Sequence, residues 1–226
     1  LSATPANGPL TLQQLPLFPL QTVLFPGGWL PLRIFEVRYL DMIGRCHKAG
    51  APFGVVCLSE GSEVRRIDTA APPSGDAFAK EVFHPVGTLA RIESLERPQP
   101  GLMVIQCRGQ QRFQVTRRSQ LAHGLWVADV QLDEPEASVP VPEHLVNTRE
   151  ALQRLLQNLQ ERDPQSLEQL PLQPPYRWDD SGWVANRWAE LLPTPAELKQ
   201  RLMALDNPLL RLELVSDLLD RLGLDN

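Results

Sequence analysis

The sequence predicts an α+β fold in which a β-rich half precedes a helical half. Three observations carry this. Short apolar, alternating segments bounded by Gly and Pro recur up to residue 134. A proline-rich switch, PEASVPVP, follows at 135–142. Beyond it, leucines recur at helical spacing and the segments carry helix-start residues. Strands this frequent point to a small barrel or sandwich, and the later segments to a helical bundle.

Residues 1–13 are polar and small, and read as a flexible arm. LPLFPL (15–20) reads as a short strand whose Pro16 and Pro19 need edge or bulge positions. FPGGW (25–29) is a turn. WLPLRIF (29–35) alternates Leu30, Leu32 and Ile34 on one face, with Pro31 opening the strand. A helix begins at Glu36, with Val37, Leu40, Ile43 and Cys46 as its expected apolar stripe and Gly50 as its end. Glu36 and Arg38 are candidates for a polar pair that fixes this strand-to-helix junction.

FGVVCL (53–58) is a buried strand, and 59–81 reads as a long polar loop. Four strands are expected next, at 86–96, 101–109, 111–118 and 125–134. In the helical half, Leu145, Leu152, Leu155, Leu156 and Leu159 form one stripe. A proline-rich connection (163–178) leads to a helix placing Val184, Trp188, Leu191 and Leu192 on one face. Thr194, Pro195 and Glu197 read as a capping box, and Asn207, Pro208 and Gly223 as the bounds of the last helix.

Composition narrows the function classes. The chain has 226 residues, 42% of them apolar, enough for one large domain or two small ones with a real core. Net charge is −5, from 27 acids against 22 bases, which argues against general nucleic-acid binding. Cys46, Cys57 and Cys107 are odd in number and widely spaced, so no disulfide framework is implied and a reducing cytoplasm fits. No apolar run approaches the roughly 20 residues of a membrane span, and residues 1–14 lack a signal-peptide pattern.

Catalytic patterns are missing. There is no phosphate loop, dinucleotide turn or nucleophile elbow. Ser74 and Ser181 sit beside glycines, where turn and cap roles suit them better than catalysis. His47, His84, His123 and His144 are scattered, Cys46 and His47 point about 100° apart on a helix, and no C-x-x-C pair occurs, so neither metal nor cofactor is expected. Asp179 and Asp180 read as helix-start acids, and Arg65–Arg66 and Arg117–Arg118 as solvated charges. Trp178, Trp183 and Trp188 recur in steps that fit no single helical face, so at least one is expected to be exposed.

The opening stretch, LPLFPLQTVLFPGGWLPLRIFEVRYLDMI, resembles the start of the N-terminal domain of the ATP-dependent protease Lon. It carries Leu-Pro-Leu at 15–17, an LFP turn at 24–26 and PL-x-I-F-E-x-R-Y at 31–39. VGTLARI (86–92), CRGQQRFQV (107–115) and the closing helices extend the resemblance over about 15–224. The signature positions are Pro19, Phe25, Pro26, Pro31, Phe35, Glu36, Arg38, Tyr39, Gly87, Arg112 and Phe113.

The resemblance implies a PUA-like β-barrel over 14–135 and a helical subdomain over 136–226. It also implies a non-catalytic module that binds unfolded polypeptide or a protein partner, with a possible link to a protease; charge and the lack of an apolar span already argue against nucleic acid and membrane as partners. The ATPase and peptidase motifs of full-length Lon are not in this sequence. An apolar groove is expected between barrel and bundle. Trp29, Phe35, Trp178 and Trp183 are its candidate binding residues. A cryptic hydrolase and an RNA-binding PUA-like protein are the alternatives.

Overall fold

Proline placement decides how the opening stretch folds. The computed structural model describes residues 10–61, 81–162, 170 and 172–224; the predicted arm to residue 9, Arg65–Arg66, Ser74 and most of the proline-rich connection lie outside them. Strand β1 (Thr11–Leu20) is staggered between two neighbours. Residues 11–17 pair antiparallel with β6 (Trp126–Leu132), and residues 17–20 pair parallel with β3 (Phe53–Glu60). Pro16 lies in the half flanked by β6 alone, and Pro19 in the half flanked by β3 alone. Each missing N–H therefore falls where one side of the strand carries no ladder. A bulge separates Leu12 from Leu15, and Gln14, at φ 53°, donates its N–H to Asp129 Oδ1 at 3.1 Å.

Strand β2 (Trp29–Ile34) pairs only with β5 (Leu102–Gln120). The Gly109 N–H donates to the Gly28 carbonyl at 2.8 Å. Counting from that bond by the two-residue alternation of an antiparallel ladder, Pro31 turns its nitrogen to the free edge. Helix α1 (Val37–Ala49) crosses back from β2 to β3, as a parallel β1–β3 pair requires. Strand β4 (Val82–Gln99) joins β3 to β5, and β5 returns to β6. The pairings thus run in a ring, β1–β3–β4–β5–β6–β1, with β2 as an appended edge.

Two predicted strands, 101–109 and 111–118, are one. Gly109 does not break β5; it permits a close approach, because a Cβ there would overlap the Phe25 carbonyl oxygen. Gly87 serves the ring interior similarly. It lies opposite Phe113, and a Cβ would enter the Phe113 ring. That interior holds Leu15, Leu17, Val56, Phe83, Phe113 and Val130.

Helix α1 covers the outer face through Tyr39, Met42, Ile43 and Cys46, against Phe18, Phe53 and Ile105. The expected stripe through Val37 fails, since Val37 is 80% exposed. A strict three-residue step drifts by about 60° per step on an α-helix, so Val37 ends opposite Cys46.

The helical part comprises α2 (Val146–Arg162), α3 (Ser181–Leu191), α4 (Ala196–Met203) and α5 (Pro208–Leu222). Residues 181–189 of α3 are buried on every side, not on one face, so α3 is the bundle's central helix. The Asp180 side chain accepts from the Gly182 and Trp183 N–H groups, and Asn207 caps α5 in the same way. Gly50 and Gly223 end α1 and α5 in the left-handed conformation. The expected Thr194 cap is displaced by one residue. Pro195 holds the cap position of α4 and the buried Thr194 hydroxyl meets no partner among the described residues.

Candidate functional site

The FPGG turn at 25–28 is where sheet and bundle meet. On the sheet side, the Gly27 N–H donates to the Gly109 carbonyl at 2.8 Å. On the bundle side, Arg187 Nη2 donates to the Pro26 carbonyl at 2.9 Å, and Arg187 Nε pairs with Glu190 Oε2 at 2.8 Å. Both side chains are buried. Burial pushes the Glu190 carboxyl up to about 8, with Arg187, the Phe25 N–H and Lys199 pulling the other way. Lys199 Nζ donates to the Glu190 carbonyl at 2.8 Å, tying α4 to the end of α3.

Beside this turn lies a cleft of about 570 Å³ between sheet and bundle. Pro26, Gly27 and Arg108 face Arg177, Trp183 and Asn186 across it. Its size suits a ligand or a short run of polypeptide. Its walls mix charged and amide side chains with apolar surface from Pro26, Leu89, Pro135, Pro175 and Trp183. The aromatic rings have turned to one another: Trp183 meets Trp178 edge-on at 5.0 Å, and Tyr176 stacks on Trp178 at 5.2 Å. A second hollow of about 980 Å³ adjoins it across Arg112 and Glu136.

Two arginines clamp the α4–α5 connection beneath these hollows. Arg112 donates to the Met203 and Leu205 carbonyls at 2.9 and 3.0 Å and pairs with Asp206 at 2.7 Å. Arg211, 1% exposed, holds Glu136 with both terminal nitrogens and reaches Asn186 Oδ1 at 3.0 Å and the Leu202 carbonyl at 2.9 Å. These carbonyls lie at or just beyond the C-terminal end of α4, where the helix's own N–H groups run out.

The predicted residues divide among three places. Trp183 lines the cleft, although it is only 7% exposed, and Trp178 packs half-buried behind it. Trp178 precedes α3, so helical spacing never applied to it. Trp29, half-buried, lies under Arg108, whose guanidinium centre is 5.0 Å from its ring. Phe35, 57% exposed, borders a separate apolar hollow of about 260 Å³ with Phe18, Leu20, Ile34 and Tyr39.

Glu36 and Arg38 pair at 2.9 Å. Arg38 also reaches the Gly124 carbonyl at 2.7 Å and Glu81 at 3.0 Å, and Glu81 accepts from Trp126 Nε1 at 2.7 Å. Arg108, Arg187, Glu190 and Arg211 were not singled out from the sequence. The available signal was a charged pair, Arg187 and Glu190, inside the otherwise apolar GWVANRWAEL.

The Ser181 hydroxyl is committed to the Pro140 carbonyl at 3.0 Å. Burial pushes the Cys57 thiol up to about 11 and that of Cys107 up to about 12, so neither forms a thiolate at neutral pH. Among the described residues, no group of three His, Cys, Asp or Glu could hold a metal ion, and no helix is long and apolar enough to cross a membrane.

The family described as the ATP-dependent protease La (LON) substrate-binding domain matches residues 14–221. A crystal structure of a Lon N-terminal domain protein from Xanthomonas campestris is 30% identical, with a TM-score of 0.69 over 91% of this chain and 98% of that one. The N-terminal domain of the Lon protease of Mycobacterium avium complex, 19% identical, shares the fold with a TM-score of 0.54 over 91% and 97% of the two chains. No curated protein matches the chain.

Proposed function

The chain belongs to the family of Lon substrate-binding domains, and on that premise we propose that it is a non-catalytic module that captures unfolded polypeptide, or a protein partner, in the cleft between sheet and bundle. One observation carries the reading: the cleft of about 570 Å³ opens where sheet and bundle meet, with Pro26 and Gly27 of the connecting turn in its lining. Backbone groups of an extended chain find donors and acceptors in Arg108, Gln111, Arg177 and Asn186, and Trp183 offers a ring edge for an apolar side chain. Trp29 and Trp178 act from behind this wall, and Phe35 marks a secondary apolar contact. The module divides into a sheet part over 14–135 and a helical part over 136–226. It works in the cytoplasm and presents polypeptide to a protease.

The test is titration with casein, which is unfolded in its native state, followed by the fluorescence of Trp183 and its neighbours. Saturable binding that weakens in Asn186→Leu is expected. A flat titration across casein and a panel of unstructured peptides refutes the reading.

A further inference from the structure

We propose that the Pro26–Gly27 end of the cleft is a carboxylate-binding pocket, so that the module selects polypeptide carrying an acidic side chain or a free C-terminus there. This rests on the reading of the cleft as a polypeptide site and adds its selectivity. Three buried N–H donors meet no acceptor among the described residues: Arg108 Nε, on a residue of the cleft wall, and Trp29 Nε1 and Arg187 Nη1, on residues behind that wall. Trp29 and Arg108 are paired across β2 and β5, with the guanidinium over the indole. Arg187 lies directly behind Gly27, where an added Cβ would stand 3.4 Å from Nη1. Gly27 and Arg108 both line the cleft.

An unmet buried donor costs roughly 1–3 kcal/mol, so three at one place mark a local deficit of acceptors. A carboxylate, with about four lone-pair sites and a negative charge, matches that deficit. The charges agree. Asp180 is spent on Arg177, Glu136 on Arg211 and Glu190 on Arg187. Arg108 has no carboxylate partner among the described residues; its Nη2 goes to the Pro174 carbonyl at 2.6 Å. Glu134, the remaining acid on the cleft wall, is exposed and follows β6, on the Arg112 side. Burial lowers the Arg187 pKa, and the nearby Arg108 charge lowers it further, so two guanidiniums stand close together at this end of the cleft. Arg108 is the group a ligand meets. Arg187, wholly buried, supplies a fixed positive charge behind it.

The test uses the full chain and three unstructured peptides of one sequence: one with an internal Asp and an amidated end, one with Asn and an amidated end, one with Asn and a free C-terminus. Calorimetry is expected to show the first or third binding about ten-fold tighter than the second, as one charge-assisted bond allows. Which of the two is favoured tells a side chain from a terminus. Arg108→Gln, with its fold checked by urea midpoint, should reduce the tighter peptide to the affinity of the neutral one. Acetate at constant ionic strength should displace the acidic peptide from the unaltered protein, which needs no variant. Equal affinity of all three peptides, with no acetate effect, overturns the carboxylate pocket and leaves polypeptide capture standing. Silence of all three together with casein overturns both.

Discussion

Replacing Glu81 by Ala removes the acceptor at the centre of the best-connected polar cluster in the sheet. The Glu81 side chain is 7% exposed and serves two donors, Arg38 Nη2 at 3.0 Å and Trp126 Nε1 at 2.7 Å. It thereby joins the first turn of α1, the entry to β4 and the entry to β6. Removing one partner of a buried ion pair costs about 3–5 kcal/mol, because the other charge stays buried and unmet. Arg38 keeps Glu36 and the Gly124 carbonyl, which lowers that figure, while the stranded Trp126 N–H adds about 1 kcal/mol. The expected loss is therefore about 2–4 kcal/mol, or roughly 4–16 °C in Tm for a chain of this size. Urea unfolding measures it, as a lower midpoint with an unchanged m-value. Glu36→Ala, which removes a more exposed partner, should cost about 1–2 kcal/mol and leave polypeptide affinity unchanged. A loss below about 0.5 kcal/mol for Glu81→Ala, or a coupling that small in a double-mutant cycle with Arg38→Met, would refute the cluster as a lock.

Two further outcomes follow from the turn at 25–28. Glu190 titrates near 8 in the folded chain and near 4.3 once unfolded, so between these values the folded state binds more protons and its stability falls as pH rises. Glu190→Gln should remove this slope, so that urea midpoints of the two proteins diverge between about pH 4.5 and pH 8; parallel profiles would count against a protonated Glu190. Gly109→Ala should cost about 1–3 kcal/mol, because its Cβ overlaps the Phe25 carbonyl and the turn must lift from β5; an unchanged urea midpoint would show that the approach is not tight.

The class and order of elements were legible because local chemistry sets them. Asp180, Asn207, Gly50 and Gly223 bound their helices through bonds made within a few residues. The prolines of β1 were legible as edge residues, although the stagger that makes room for them appears only once β3 and β6 are placed. What stayed hidden depends on distant partners. Arg211 reads as a surface charge until Glu136, 75 positions away, is brought to it. Gly109 reads as a break until Phe25 is set against it. The make-up of the cleft was hidden for the same reason, since Trp178 packs with Tyr176 against Trp183 and leaves Trp183 alone of the three on its wall.

The turn that carries the family signature also determines how binding and stability are linked. A ligand in the cleft touches β5 and α3 at once, over a turn bonded to both through Gly109 and Arg187. If sheet and bundle separate, the cleft is lost, so a ligand stabilises only the docked form. That stabilisation reaches about 2.7 kcal/mol at a ligand concentration of 100 Kd. Arg187 cannot tell the two roles apart, because the nitrogen that holds Pro26 belongs to the same guanidinium that lends its charge to the cleft. Arg108 can. It stands on β5, within the sheet, and among the described residues its hydrogen bond to the bundle side goes to the Pro174 carbonyl. Removing it should therefore weaken the ligand's stabilising effect while leaving the ligand-free midpoint nearly in place, and a loss of ligand-free stability as large as that of Glu81→Ala would assign Arg108 to the scaffold instead.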